Sequence, residues 1–131
     1  MADPYVRRCR FTGNYDGDTL TAQVDLGWFV TIGGSSNVRL LGVDCPEMKA
    51  KNAASKATAI QARDFTTQWV ATHAAHGDPS WPFLLHSQTL DLYGRALATV
   101  ECGQGHDLAA DLTAAGLARP YNGTGPHPWP A

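Results

Sequence analysis

Three short segments carry the residues that could do chemistry: Asp16-Gly17-Asp18-Thr19, Arg39-Leu40-Leu41-Gly42-Val43-Asp44-Cys45-Pro46-Glu47 and Asp91-Leu92-Tyr93-Gly94-Arg95. The aspartates are hard oxygen donors suited to a divalent cation, Glu47 behind a stiffening proline can handle an attacking water, and Arg39 and Arg95 offer planar guanidinium forks to anionic oxygens. That set is the equipment for hydrolysing a phosphodiester at neutral pH. Each residue also has a plainer reading. Asp16 and Asp91 suit turns, Gly17 and Gly94 suit turn backbone, and Thr19 suits a strand entrance or a bond to a carboxylate. Arg39 could sit in a buried ion pair and Asp44 could stabilise a turn, but structure alone does not require the whole set.

The elements that must position these residues follow from periodicity. Tyr5 to Tyr15 and Thr19 to Leu26 read as strands joined at Asp16-Gly17, a hairpin dipeptide whose glycine would take positive φ. A third strand region runs from Phe29 to Ile32, is interrupted by Gly33-Gly34-Ser35-Ser36-Asn37, and continues from Val38 to Val43 until Pro46 stops pairing. Ala53 to Ala75 lacks Gly and Pro and repeats Thr58, Ala62, Phe65 and Trp69 at i, i+4, i+7 and i+11, which predicts an amphipathic helix ended by Gly77-Asp78-Pro79. Pro82 to Thr89 and Arg95 to Val100 are two more strands around the Asp91 to Gly94 turn. A short helix follows, with Asp107 as N-cap and Gly116 as the C′ residue. This order predicts a mainly β, α+β fold: a five-stranded OB-type barrel with a long helix between strands 3 and 4 and a short C-terminal helix. Residues 122–131, dense in Gly and Pro, are expected to lie extended over the surface.

The chain has 131 residues, 44% of them hydrophobic and 17% charged, which fits a single globular domain over 1–131 with its core at about 5–121. No apolar run approaches the roughly 20 residues that span a bilayer, so no membrane role is expected. No signal-type segment stands at the start, and the expectation is a cytoplasmic protein, bacterial or viral. Cys9, Cys45 and Cys102 are odd in number and form no Cys-x-x-Cys pair, which argues against disulfides and a zinc ribbon. His73 and His76 lie three apart on the predicted helix and could share a metal, but no third ligand is evident and a solvated face is the simpler reading. The formal charge of −2 predicts weak, salt-sensitive binding to any polyanion. Arg7, Arg8 and Arg10 form the only local basic cluster, equally suited to an edge strand or a strand-tracking patch.

With those motifs placed, the chain resembles the staphylococcal-nuclease-like (thermonuclease) family from about Tyr15 to Tyr121, including Gly116-Leu117-Ala118 near the end. The resemblance implies that Asp18 and Asp44, with the backbone carbonyl of Cys45, bind one calcium ion. It makes Glu47 the general base and Arg39 and Arg95 the clamp on the scissile phosphate. Tyr93 becomes a phosphate hydrogen-bond donor and Tyr121 a base-stacking residue, with Thr19 and Asp16 in support. Three features are expected to depart from the best-known member: Leu92 stands where it has a lysine, its final helix has no counterpart after the short helix, and the overall charge is acidic.

The reading is a calcium-dependent, sequence-non-specific endonuclease acting on DNA, with RNA as a further substrate, leaving 5′-hydroxyl and 3′-phosphate ends and working as a monomer. The rival is a non-catalytic OB-type module that binds single-stranded nucleic acid or a protein partner. It would have no reason to keep two metal-type aspartates and would expose more aromatic and basic residues along a groove. A phosphodiesterase for small nucleotides is a third possibility.

Overall fold

Alternating apolar and polar residues generate strands whose pairing closes on itself. The structure, a computed structural model, describes residues 5–131. Strands β1 (Val6–Asn14) and β2 (Thr19–Asp25) form an antiparallel pair with Cys9 opposite Val24. β3 (Thr31–Gly33) lies on the outer side of β2, and β4 (Val38–Leu40) pairs with the start of β2, Thr19 opposite Arg39. After the two-residue β5 (Val43–Asp44) and helix α1 (Ala53–Ala74), strands β6 (Phe83–Leu90) and β7 (Ala96–Cys102) form a second antiparallel hairpin. β6 returns to β1, and β7 runs parallel to β4, so β1, β6, β7, β4 and β2 form a closed five-stranded barrel. Helix α2 (Leu108–Ala114) and strand β8 (Arg119–Pro120) follow, β8 pairing with β5. Register shifts at Phe11/Gly13 in β1 and Ser87/Thr89 in β6 let the hairpins curl as closure demands. This is the OB-type barrel expected.

The third strand region is corrected. Trp28 and Phe29 take φ of 55° and 62°, and the bond from Val30 N to Gly27 O makes the stretch a turn. Phe29 is therefore a turn residue, and β3 begins only at Thr31. Gly42, at φ 82°, then separates β4 from β5.

The apolar interior of the barrel is built from Cys9, Leu20, Val38, Leu40, Phe83 and Val100, and α2 caps one end with Leu108 and Leu112. Asp107 accepts from Ala110 N and Gly116 follows at φ 75°, so both ends of α2 are where capping chemistry puts them. Helix α1 is capped by Asn52, which accepts from Ser55 N. Its buried stripe is Ser55, Ala59, Ala62, Thr66 and Trp69, one step round from the predicted face and partly polar. Small residues dominate that stripe because the helix lies close against the β1–β2 loop. Among the described residues, no helix is long and apolar enough to cross a membrane.

Candidate active site

The β1–β2 loop is shaped by α1. Thr66 Oγ1 donates to Gly17 O at 2.7 Å, and Asn14 Nδ2 donates to Asp16 O at 3.0 Å and to Arg63 O at 3.1 Å. The reason for Gly17 differs from the expected one. Its φ is not positive; instead, an added Cβ would stand 2.8 Å from both Ala62 Cβ and Cys45 Sγ. Glycine is needed for close approach, which brings the loop down onto the helix and turns the flanking aspartates toward the barrel end. Asp18 N donates to Asp16 Oδ1 at 3.1 Å, and Thr19 Oγ1 donates to Asp18 Oδ1 at 3.3 Å.

The second segment meets the first through Asp18 Oδ2, which accepts from Cys45 N at 2.8 Å. Arg39, on β4 opposite Thr19, places Nη1 2.8 Å from Asp18 Oδ2 and Nη2 2.8 Å from Asp44 Oδ1. One guanidinium thus spans both metal-type aspartates. The Nη2 contact is a true hydrogen bond, whereas Nη1 approaches Asp18 off the N–H axis and has no aligned acceptor.

The third segment is organised by Asp91. Its Oδ1 accepts from the backbone N of Tyr93 at 2.8 Å and of Arg95 at 2.9 Å, and its Oδ2 takes Arg95 Nε at 2.5 Å. Burial pushes the Asp91 carboxyl up, but those N–H bonds and the guanidinium together hold it below its ordinary value. Asp91 is therefore a turn residue that also aims Arg95. Gly94 sits at φ 78° in the same turn, and the Arg95 guanidinium lies 5.3 Å from the centre of the exposed Tyr93 ring.

These parts converge on one cavity of about 430 Å³, lined by Asp16, Asp18, Thr19, Arg39, Asp44, Cys45, Glu47, Tyr93 and Arg95. Tyr121 is the one predicted site residue outside that lining. Its ring stacks on His127 at 4.9 Å and its hydroxyl donates to Gly125 O at 2.9 Å. Sequence reasoning missed Tyr15, Met48, Lys49 and His127, which also line the cavity. Lys49 lay within reach as a cation two residues after Glu47, but nothing local signalled His127.

His127 arrives because residues 122–131 turn back. Positive φ at Gly123 and Gly125 reverses the chain, Arg119 holds Pro128 O at 2.6 Å and stacks over the Trp129 ring at 3.9 Å, and Asn52 N donates to Ala131 O at 3.2 Å. The tail is non-helical, as expected, but it ends on the site: His127 Nδ1 is 3.0 Å from Asp44 Oδ2, and Trp129 Nε1 donates to Asp44 O at 2.7 Å. Arg8 and Arg10 are engaged elsewhere, with Asp25 at 2.7 Å and Gln23 at 2.6 Å.

The electrostatics are those of crowded anions. Asp16, Asp18 and Asp44 are all buried, with Arg39 between the last two. Burial, then the charge of Asp18, pushes the Asp16 carboxyl from 3.8 up to about 7. The same two causes raise Asp44, opposed by His127 and Arg39. Burial and the neighbouring aspartates also raise the Cys45 thiol, keeping it protonated and inert. A surplus of buried carboxylate oxygen from Asp16, Asp18 and Asp44 is the environment a divalent oxygen-seeking cation fits.

Residues 37–128 match the model of the family described as staphylococcal nuclease homologue. The match takes in Arg39, Asp44, Glu47, Arg95 and His127, while the Asp16 to Thr19 loop precedes it. No curated protein matches the chain.

Proposed function

The chain belongs to the staphylococcal nuclease homologue family, and on that premise we propose that it is a calcium-dependent, sequence-non-specific endonuclease. Its substrate would be DNA, with RNA as a second, and its products 5′-hydroxyl and 3′-phosphate ends. The observation that carries this reading is the single cavity in which a buried carboxylate set faces Arg39 and Arg95, with the exposed Glu47 among its lining residues.

Asp18, Asp44 and the backbone carbonyl of Cys45 would hold the ion. When bound, calcium supplies the positive charge that Asp18 and Asp44 otherwise draw from Arg39, and it polarises a phosphate oxygen. Arg39 and Arg95 then take the non-bridging oxygens and stabilise the charge that builds as phosphorus becomes five-coordinate. Glu47 accepts a proton from the attacking water, the P–O5′ bond breaks opposite the new P–O bond, and the departing 5′-oxygen takes a proton from solvent to leave as a hydroxyl. Tyr93 donates to the phosphate. Tyr121 stands beside the cavity, its ring stacked on His127 of the lining, and would offer that pair of rings to a base.

The test is cleavage of supercoiled plasmid and of denatured DNA in Ca²⁺, Mg²⁺ or EDTA, beside Glu47→Gln. Calcium-dependent nicking that EDTA abolishes and the variant largely loses supports the reading. Intact DNA with retained single-strand binding replaces it with the non-catalytic barrel.

A further inference from the structure

A second group of ligating side chains lies away from this cavity, where the end of α1 meets α2. His73 on α1, His106 in the β7–α2 loop and Asp111 on α2 place one ligand atom each within 4.8 Å of one another. We propose that His73, His106 and Asp111 bind a transition-metal cation, Zn²⁺ by the chemistry of the set, which fastens α1 to α2.

Two imidazoles and a carboxylate are ligands of zinc type, and imidazole nitrogen does not suit calcium. Tetrahedral zinc with bonds of about 2.0–2.2 Å needs ligand atoms about 3.3–3.5 Å apart. His106 Nδ1 and Asp111 Oδ2 already stand 3.4 Å apart. The His106 side chain is 53% exposed, which leaves its ring room to adjust to an ion.

The surroundings hold the ligands in place. Trp69 Nε1 donates to Asp111 Oδ2 at 2.8 Å, the kind of outer bond that orients a metal-binding carboxylate. The His73 ring lies between those of Trp69 and His106, at 4.5 and 4.8 Å. The loop that carries His106 is pinned by Cys102 N to His106 O at 3.0 Å, and Gln104 Nε2 ties it to His76 O at 2.7 Å. With three protein ligands, a fourth position is left to solvent.

The experiment uses the full chain stripped with EDTA and returned to excess Ca²⁺, so that the acidic cavity is not the competing site. Zn²⁺ binding is followed by calorimetry and Co²⁺ binding by visible absorption, with circular dichroism as the check on folding. The expected result is one equivalent of Zn²⁺, a tetrahedral Co²⁺ spectrum and a raised melting temperature. His106→Ala and His73→Ala should each weaken binding at least about tenfold, while Asp18→Asn and Glu47→Gln leave it unchanged. Absence of binding overturns the proposal, as does equal affinity in folded His106→Ala or loss of binding in Asp18→Asn. None of these readouts depends on nuclease activity, so this site and the proposed function stand or fall separately.

Discussion

Asp16→Asn removes one charge from the crowded acidic cluster while keeping an oxygen to accept from Asp18 N. In the folded chain the Asp16 carboxyl holds its proton to about 7, against an ordinary value of 3.8. Between those values the folded state binds more protons than the unfolded one, so stability falls as pH rises and the penalty is complete above the folded value. At about 1.4 kcal/mol per pH unit, ionising this residue costs the fold up to about 4 kcal/mol. Burying the Asn amide offsets part of that cost, so the net advantage of Asn at pH 8 is about 2–4 kcal/mol. Urea unfolding in EDTA at pH 4, 6 and 8, read by tryptophan fluorescence, measures it. The variant should be the more stable protein at pH 8 and nearly equal to the parent at pH 4. Millimolar Ca²⁺ should narrow the gap by stabilising the parent more. A variant no more stable at pH 8, or an advantage equal at pH 4 and pH 8, would refute the argument that burial and Asp18 hold the proton on Asp16.

Arg39→Ala leaves Asp18 and Asp44 without their shared guanidinium; it should cost about 3–5 kcal/mol in urea unfolding and lower plasmid cleavage roughly 10²-fold or more. Arg39→Lys should not restore cleavage, because an ammonium cannot present a planar two-armed fork to the phosphate oxygens. Gly17→Ala puts a Cβ 2.8 Å from Ala62 Cβ and Cys45 Sγ and should cost about 1–3 kcal/mol, visible as a lower melting temperature although no backbone strain is introduced. Trp129→Phe keeps an aromatic ring under Arg119 but loses the bond to Asp44 O; the tail should be cut faster in limited proteolysis, with about 1 kcal/mol lost. The three buried cysteines, with the Cys9 thiol pushed up to about 12 by burial, should resist a disulfide reagent at pH 8 until urea unfolds the chain.

Local chemistry explains which features were legible in advance. The caps of α2, the Asp91 turn and the strands on either side of Asp16-Gly17 depend on residues a few positions apart, and the structure has them where pattern reading puts them. The polar stripe of α1 was not legible. Thr66 is buried because its hydroxyl reaches Gly17 O, forty-nine residues earlier. The Trp28-Phe29 turn was hidden by residue types that normally extend a strand. His73 was visible as half of a pair with His76, but the chain instead supplies His106 and Asp111 across a helix contact.

The sequence by itself determined the order of elements, the OB-type barrel and the residue types of the acidic and basic site, because periodicity, turn chemistry and motif spacing are properties of neighbouring residues. Tertiary structure alone decided that Arg39 bridges Asp18 and Asp44, that Gly17 is needed for packing rather than for φ, and that residues 122–131 return to set His127 and Trp129 against Asp44. Each of these is a contact between segments far apart in the chain. Such contacts form only once barrel closure has fixed where the segments lie, so no local pattern encodes them.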